Sequence, residues 1–124
     1  MPGMAQTFAN ALQETEESRD PEPLVRLFAE DAELRNLAIA HQGIDGARQF
    51  WETYLHQFES IRSEFSHLIE SEGQAALVWT SDGTMKDGRP ISYRGVSVIE
   101  FAEGKVRRFE TIYDSAAFVR PEAG

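Results

Sequence analysis

The sequence predicts an α+β fold in which helices lie across one face of an antiparallel sheet. Three observations carry this. Helical periodicity is confined to the first half of the chain, β-rich runs separated by glycine turns fill the second half, and no β-α-β alternation occurs.

Met4, Phe8 and Leu12 recur four residues apart and predict a helix over 4–18, with Gln13, Glu14, Glu16 and Glu17 making its far end polar. Asp20-Pro21-Glu22-Pro23 interrupts that helix and starts another, since proline fits a first helical turn. The second helix is expected to carry Leu24, Val25, Leu27 and Phe28 on one face and to close at Asp31. Residues 32–39 are then expected to be extended. Gln42-Gly43-Ile44-Asp45-Gly46 reads as a turn, with Asp45 as the N-cap of a third helix. That helix has the clearest period in the chain: Phe50, Trp51, Tyr54, Leu55 and Phe58. Strands are expected over 61–70, 74–85, 91–102 and 105–113, joined at Glu72-Gly73, Asp87-Gly88 and Glu103-Gly104. Apolar residues occupy both parities of these strands, as with Tyr93, Ile99 and Phe101 against Val96 and Val98. A sheet with one solvated face alternates more cleanly, so both faces are expected to be covered, one by helices and the other by a second copy of the chain.

A chain of 124 residues is expected to form one domain, 1–124, with an ordered core of about 4–119. Its apolar content of 41%, with 8 Phe, is that of a globular protein and not of a disordered one. The formal charge of −9 disfavours nucleic acid and anionic membrane surfaces as partners. With no cysteine, disulfides, thiolate metal sites and thiol nucleophiles are excluded. The first residues lack a basic segment followed by an apolar core, and no run approaches the roughly 20 apolar residues of a membrane span. A cytoplasmic location is therefore expected.

Gly-rich phosphate loops, H-E-x-x-H, G-x-S-x-G and dinucleotide fingerprints are all missing from the sequence. His41, His56 and His67 lack metal-site spacing, so no metal and no cofactor are expected. His41, between strand and turn, is kept as a pocket-rim residue. What remains is a set of polar groups in apolar surroundings: Asn36, Tyr54, Trp79, Asp82, Arg94, Tyr113 and Asp114. A carboxylate against aromatic surfaces has its charged form disfavoured and so suits acid–base work. Arg94 has the chemistry to orient an anion, and Tyr54 or Tyr113 to donate to a developing enolate. Each residue also has a plainer use. Asp114 before Ser115-Ala116-Ala117 is a good cap for a short terminal turn, Arg94 can pair across strands with Glu100 or Glu110, and Trp51, Tyr54 and Trp79 fall at packing positions.

Several phrases together resemble a known family. Leu27-Phe28-Ala29-Glu30-Asp31-Ala32-Glu33-Leu34 is similar to its passage from short helix to first strand. Gly43-Ile44-Asp45-Gly46-Ala47-Arg48-Gln49-Phe50-Trp51 is similar to its entry into the third helix. Asp87-Gly88-Arg89-Pro90, Tyr93-Arg94-Gly95-Val96 and Glu103-Gly104-Lys105-Val106, closing in Tyr113-Asp114, resemble its terminal hairpins. This is the SnoaL-like branch of the nuclear-transport-factor-2-like superfamily, with its polyketide cyclases, ketosteroid isomerases and limonene-epoxide hydrolases. The resemblance spans about residues 8–118. It implies a strongly curved antiparallel sheet wrapped around three helices, a cone with an apolar pocket, and a homodimer formed through the sheet.

The resemblance also implies a small apolar ligand, and cofactor-free isomerase, cyclase or hydrolase chemistry with Asp114 as the acid–base group. Arg94 and Asn36 would orient polar atoms, and Trp51, Tyr54, Trp79, His41 and Tyr113 would shape the pocket. Asn36 stands where the ketosteroid isomerases carry a proton-shuttling Asp, and Trp79-Thr80-Ser81-Asp82 where the epoxide hydrolases carry an Arg-x-Asp pair. Both departures point away from those two reactions. The alternative reading is a non-catalytic ligand-binding or dimerisation module of the same fold.

Overall fold

A computed structural model describes residues 3–119. In chain order the elements are α1 (Met4–Ser18), α2 (Glu22–Val25), β1 (Phe28–Arg35), β2 (Ala40–Gln42), α3 (Gly43–His56), β3 (Phe58–Ser71), β4 (Gln74–Met85), β5 (Pro90–Ala102) and β6 (Lys105–Tyr113). A single 3₁₀ turn, Ser115–Phe118, follows. The six strands form one open sheet in the order β2-β1-β6-β5-β4-β3, with the helices packed against one face. The fold is the expected α+β cone.

One feature of the sheet differs from expectation. It is mixed, because β1 runs parallel to β6, with Leu34 opposite Phe109. The four long strands are joined by tight turns and so form an antiparallel meander. β1 is separated from them by α3, which carries the chain across, so that β1 can reach the free edge of β6 in the parallel sense.

The boundaries of the early elements also shift. α2 is only one turn long, and Phe28 already belongs to β1 together with Asp31, which therefore closes no helix. Burial explains this: Phe28, Ala32 and Leu34 face the core from β1, and the Leu27 carbonyl accepts from Val106 N–H at 2.7 Å. Residues 36–39 are not extended. Asn36 Oδ1 accepts from Ala38 and Ile39 N–H at 2.8 and 2.9 Å, turning the chain from β1 into β2. α3 starts at Gly43, two residues before the expected cap, and Asp45 lies in its first turn beside Arg48, 3.2 Å away. There its charge complements the helix dipole. The third strand starts at Phe58 and not Ile61.

The core has two clusters. In one, Phe8, Phe28, Phe50, Trp51 and Phe109 meet edge-on, tilted or stacked, with centroids 5.0–6.5 Å apart. In the other, Phe58, Ile61, Trp79, Ile91 and Tyr93 are joined by Tyr113 and Phe118 at the far end of the sheet. No helix among the described residues is long and apolar enough to cross a membrane.

Candidate functional site

Between the helices and the inner face of the sheet lies a cavity of about 60 Å³. Phe8 and Leu12 line it from α1, and Phe50, Trp51 and Tyr54 from α3. These positions follow from helical spacing, which places residues three and four apart on one face. The sheet contributes residues of inward parity in register. Ser63, Ser81 and Tyr93 are direct cross-strand neighbours, and so are Phe65, Trp79, Gly95 and Tyr113. Gly95 is required there. A Cβ at that position would stand 2.7 Å from Trp79 Cζ2 and 2.5 Å from the Ile112 carbonyl oxygen, so only glycine lets the indole lie flat across the strand.

The polar end of the cavity is built around Glu16, which is 4% exposed. Its Oε2 accepts from the Tyr54 and Ser63 hydroxyls, both at 2.6 Å, and its Oε1 from Ser63 N–H at 2.7 Å. Ser63 Oγ lies 2.6 Å from Ser81 Oγ. Burial raises the Glu16 carboxyl above its usual range, although these hydrogen bonds and the Arg62 charge pull the other way. Burial likewise pushes the Tyr54 phenol well up, with the neighbouring Tyr93 and Glu16 adding to it. Tyr93 rises too, through burial first and then through Tyr113 and Glu16, while the Tyr54 and Ser81 hydroxyls pull the other way. A second chain runs from Trp79 Nε1–H to Ser97 Oγ at 3.0 Å and on from the Ser97 hydroxyl to Thr111 Oγ1 at 3.1 Å. Trp51 Nε1 is buried with no acceptor among the described residues.

Of the residues singled out in the sequence, Asn36, Trp51, Tyr54, Trp79 and Tyr113 line this cavity. His41 does not. It packs edge-on against Phe50 and borders a separate surface depression beside Arg108. Asp114 is exposed, and its Oδ1 accepts from Ala116 N–H at 3.1 Å, capping the 3₁₀ turn. The Arg94 side chain is exposed on the outer face, and only its backbone meets Asp114, whose N–H donates to the Arg94 carbonyl at 3.1 Å. Glu100 pairs with Arg108, at 3.6 Å. Asp114 and Arg94 thus stand outside the cavity that Asn36 borders. Asp82, His56 and His67 are also exposed. Among the described residues no three His, Asp or Glu side chains gather as a metal-binding group.

Sequence reasoning passed over Glu16, Ser63, Ser81, Ser97 and Thr111. A signal for Glu16 was present: it continues the Phe8-Leu12 stripe by one more step of four. The three serines share strand parity with Ile61, Trp79, Tyr93 and Ile99, which marks them as inward-facing.

Residues 6–109 match the SnoaL-like domain, and the chain belongs to that family. Solved structures agree on the fold. An NTF2-like protein of unknown function from Burkholderia pseudomallei K96243 superposes with a TM-score of 0.84 at 19% identity, over 99% of this chain and 100% of that one. A hypothetical protein with a ketosteroid isomerase-like fold from Catenulispora acidiphila DSM 44928, in complex with trimethylamine, gives 0.81 at 14% identity, over 94% and 89%. TerC, co-crystallised with polyporic acid, gives 0.78 at 20% identity, over 93% and 92%. At these identities the likeness extends to the fold alone. No curated protein matches the chain.

Proposed function

We propose that this chain binds a small, mostly apolar molecule in the cavity between its helices and sheet. The observation that carries this reading is the make-up of the wall: aromatic rings on most sides, with hydrogen-bonding hydroxyls gathered at one end. An apolar cleft with a few convergent polar groups is the usual form of a small-molecule site. The two related folds that hold trimethylamine and polyporic acid lend general support. The volume bounds the ligand, because a water needs at least about 10–15 Å³ on this measure and the cavity therefore holds roughly four to six water-sized groups. The geometry favours binding over acid–base chemistry at Asp114, which serves the 3₁₀ turn. Trp51 and Trp79 both line the wall, so titration with phenol should change tryptophan fluorescence saturably, and Trp51→Phe should remove part of that change. A linear, unsaturable response up to millimolar phenol would sink the reading.

The second reading concerns the outer face of the sheet. Val98, Ile112 and Ile69 are 40%, 49% and 60% exposed, and register joins them to Ala76, Val78 and Val96 in one apolar patch. We infer that a second copy of the chain covers it, giving the homodimer that the resemblance implies. Light scattering should show twice the 14.0 kDa chain mass, and Val98→Glu should halve the particle.

A further inference from the structure

We propose that the polar end of the cavity is acceptor-only, held so by Glu16, and that it selects a neutral ligand presenting a hydroxyl or N–H donor. This rests on the small-molecule reading above and sharpens it to a ligand class. It follows from counting protons. In its ionised form Glu16 can only accept, and each hydroxyl has one proton to give. Ser63 N–H occupies Glu16 Oε1, while Tyr54 and Ser63 both spend their hydroxyl protons on Oε2. With the Ser63 proton committed, the 2.6 Å contact to Ser81 needs Ser81 as the donor, so the Ser81 proton is spent as well.

Three oxygens that border the cavity, those of Tyr54, Ser63 and Ser81, thus offer lone pairs and no proton. A ligand atom that can only accept, such as a carbonyl or an N-oxide, would face them unpaired. A ligand hydroxyl or N–H would be satisfied, and leaving a polar group without its partner in a desolvated site is what generates strong discrimination. The elements supplying the network are α1, α3 and the strands β3 and β4, so the polarity belongs to the packed fold and not to one mobile side chain. The opposite character occurs elsewhere in the wall. Trp51 N–H has no acceptor among the described residues, and the Thr111 oxygen accepts from Ser97, which leaves the Thr111 proton available. A molecule that donates at the Glu16 end and accepts at the other would use both.

Glu16→Gln reverses the direction of the relay with almost no change in shape. The amide oxygen keeps the Ser63 N–H. The amide nitrogen, in place of Oε2, donates to Tyr54 and Ser63, and their protons turn outward, Ser63 to Ser81 and both Ser81 and Tyr54 toward the cavity. Phenol and pyridine N-oxide make a matched pair of probes, equal in heavy-atom count, the first able to donate and the second only to accept. Titrating each into the full chain by ligand-observed NMR should show phenol preferred by the wild type, and a ratio of affinities that falls at least tenfold in E16Q. If both probes bind and the ratio is the same in the two proteins, the acceptor-only inference is overturned while the binding site stands. If neither probe binds the wild type, both readings fall. Should E16Q not fold, Ser81→Ala provides the second test. Loss of one acceptor oxygen should weaken phenol at least fivefold and leave pyridine N-oxide within twofold, and equal weakening of both would reject the proposal.

Discussion

Glu16 and Asp114 are both acidic side chains at the end of an apolar run, one on the first helix and one after the last strand, and the fold treats them in opposite ways. Glu16 is carried into the interior by helical period, met by three donors and screened from water. Asp114 stands in solvent and uses its carboxylate on its own backbone two residues ahead. A carboxylate in an aromatic neighbourhood along the sequence need not be in one in space. The strand that delivers Asp114 alternates, so Tyr113 turns to the cavity and the next residue leaves it. The helix that delivers Glu16 has no such alternation, and each step of four returns to the same face.

The contrast can be broken first at Glu16. Glu16→Ala should strand the Ser63 N–H and two hydroxyls in a buried site and destabilise the chain by about 3 kcal/mol, read from urea unfolding. A loss below 1 kcal/mol would mean that the carboxylate is not held as the network implies. A smaller effect should appear with pH. The folded-state pKa of Glu16 is raised above its ordinary 4.5, so its contribution is fully present below 4.5 and is lost as pH rises through the folded value. The stability of the wild type relative to Glu16→Gln should therefore be greatest in acid and shrink toward neutrality, in paired urea midpoints from about pH 4 to 8. A difference that grows with pH would contradict the burial argument. The smallest effect belongs to Asp114→Ala, which removes a cap from a single exposed turn. It should lower stability by about 0.5 kcal/mol and leave phenol binding unaltered. A tenfold loss of affinity with the melting temperature unchanged would return Asp114 to the site.

Much of the fold was legible in one dimension. The boundaries of α1 follow from its stripe and the Asp20-Pro21 break, and the hairpins β3–β6 from glycine turns between alternating runs. The errors cluster between Leu27 and Asp45, where short apolar runs satisfy helix and strand templates equally and neighbours decide. Phe28 fits a helical face, yet a strand results because β6 offers it an edge to pair with. The candidate site was legible in its aromatic half. Trp51, Tyr54, Trp79 and Tyr113 border the cavity because large rings at inward positions have nowhere else to pack.

The polar half was not legible, for a physical reason. A lone Glu among Gln13, Glu14 and Glu17, or a serine in a strand, has the same local signature whether it meets solvent or a partner. Period and parity determined which way Glu16, Ser63, Ser81 and Tyr93 face. Only tertiary structure, by bringing α1 against β3 and α3 beside them, decided that four side chains spread over residues 16–81 would share protons, because hydrogen bonds form by distance and not by sequence separation. The same packing left Asp114 outside.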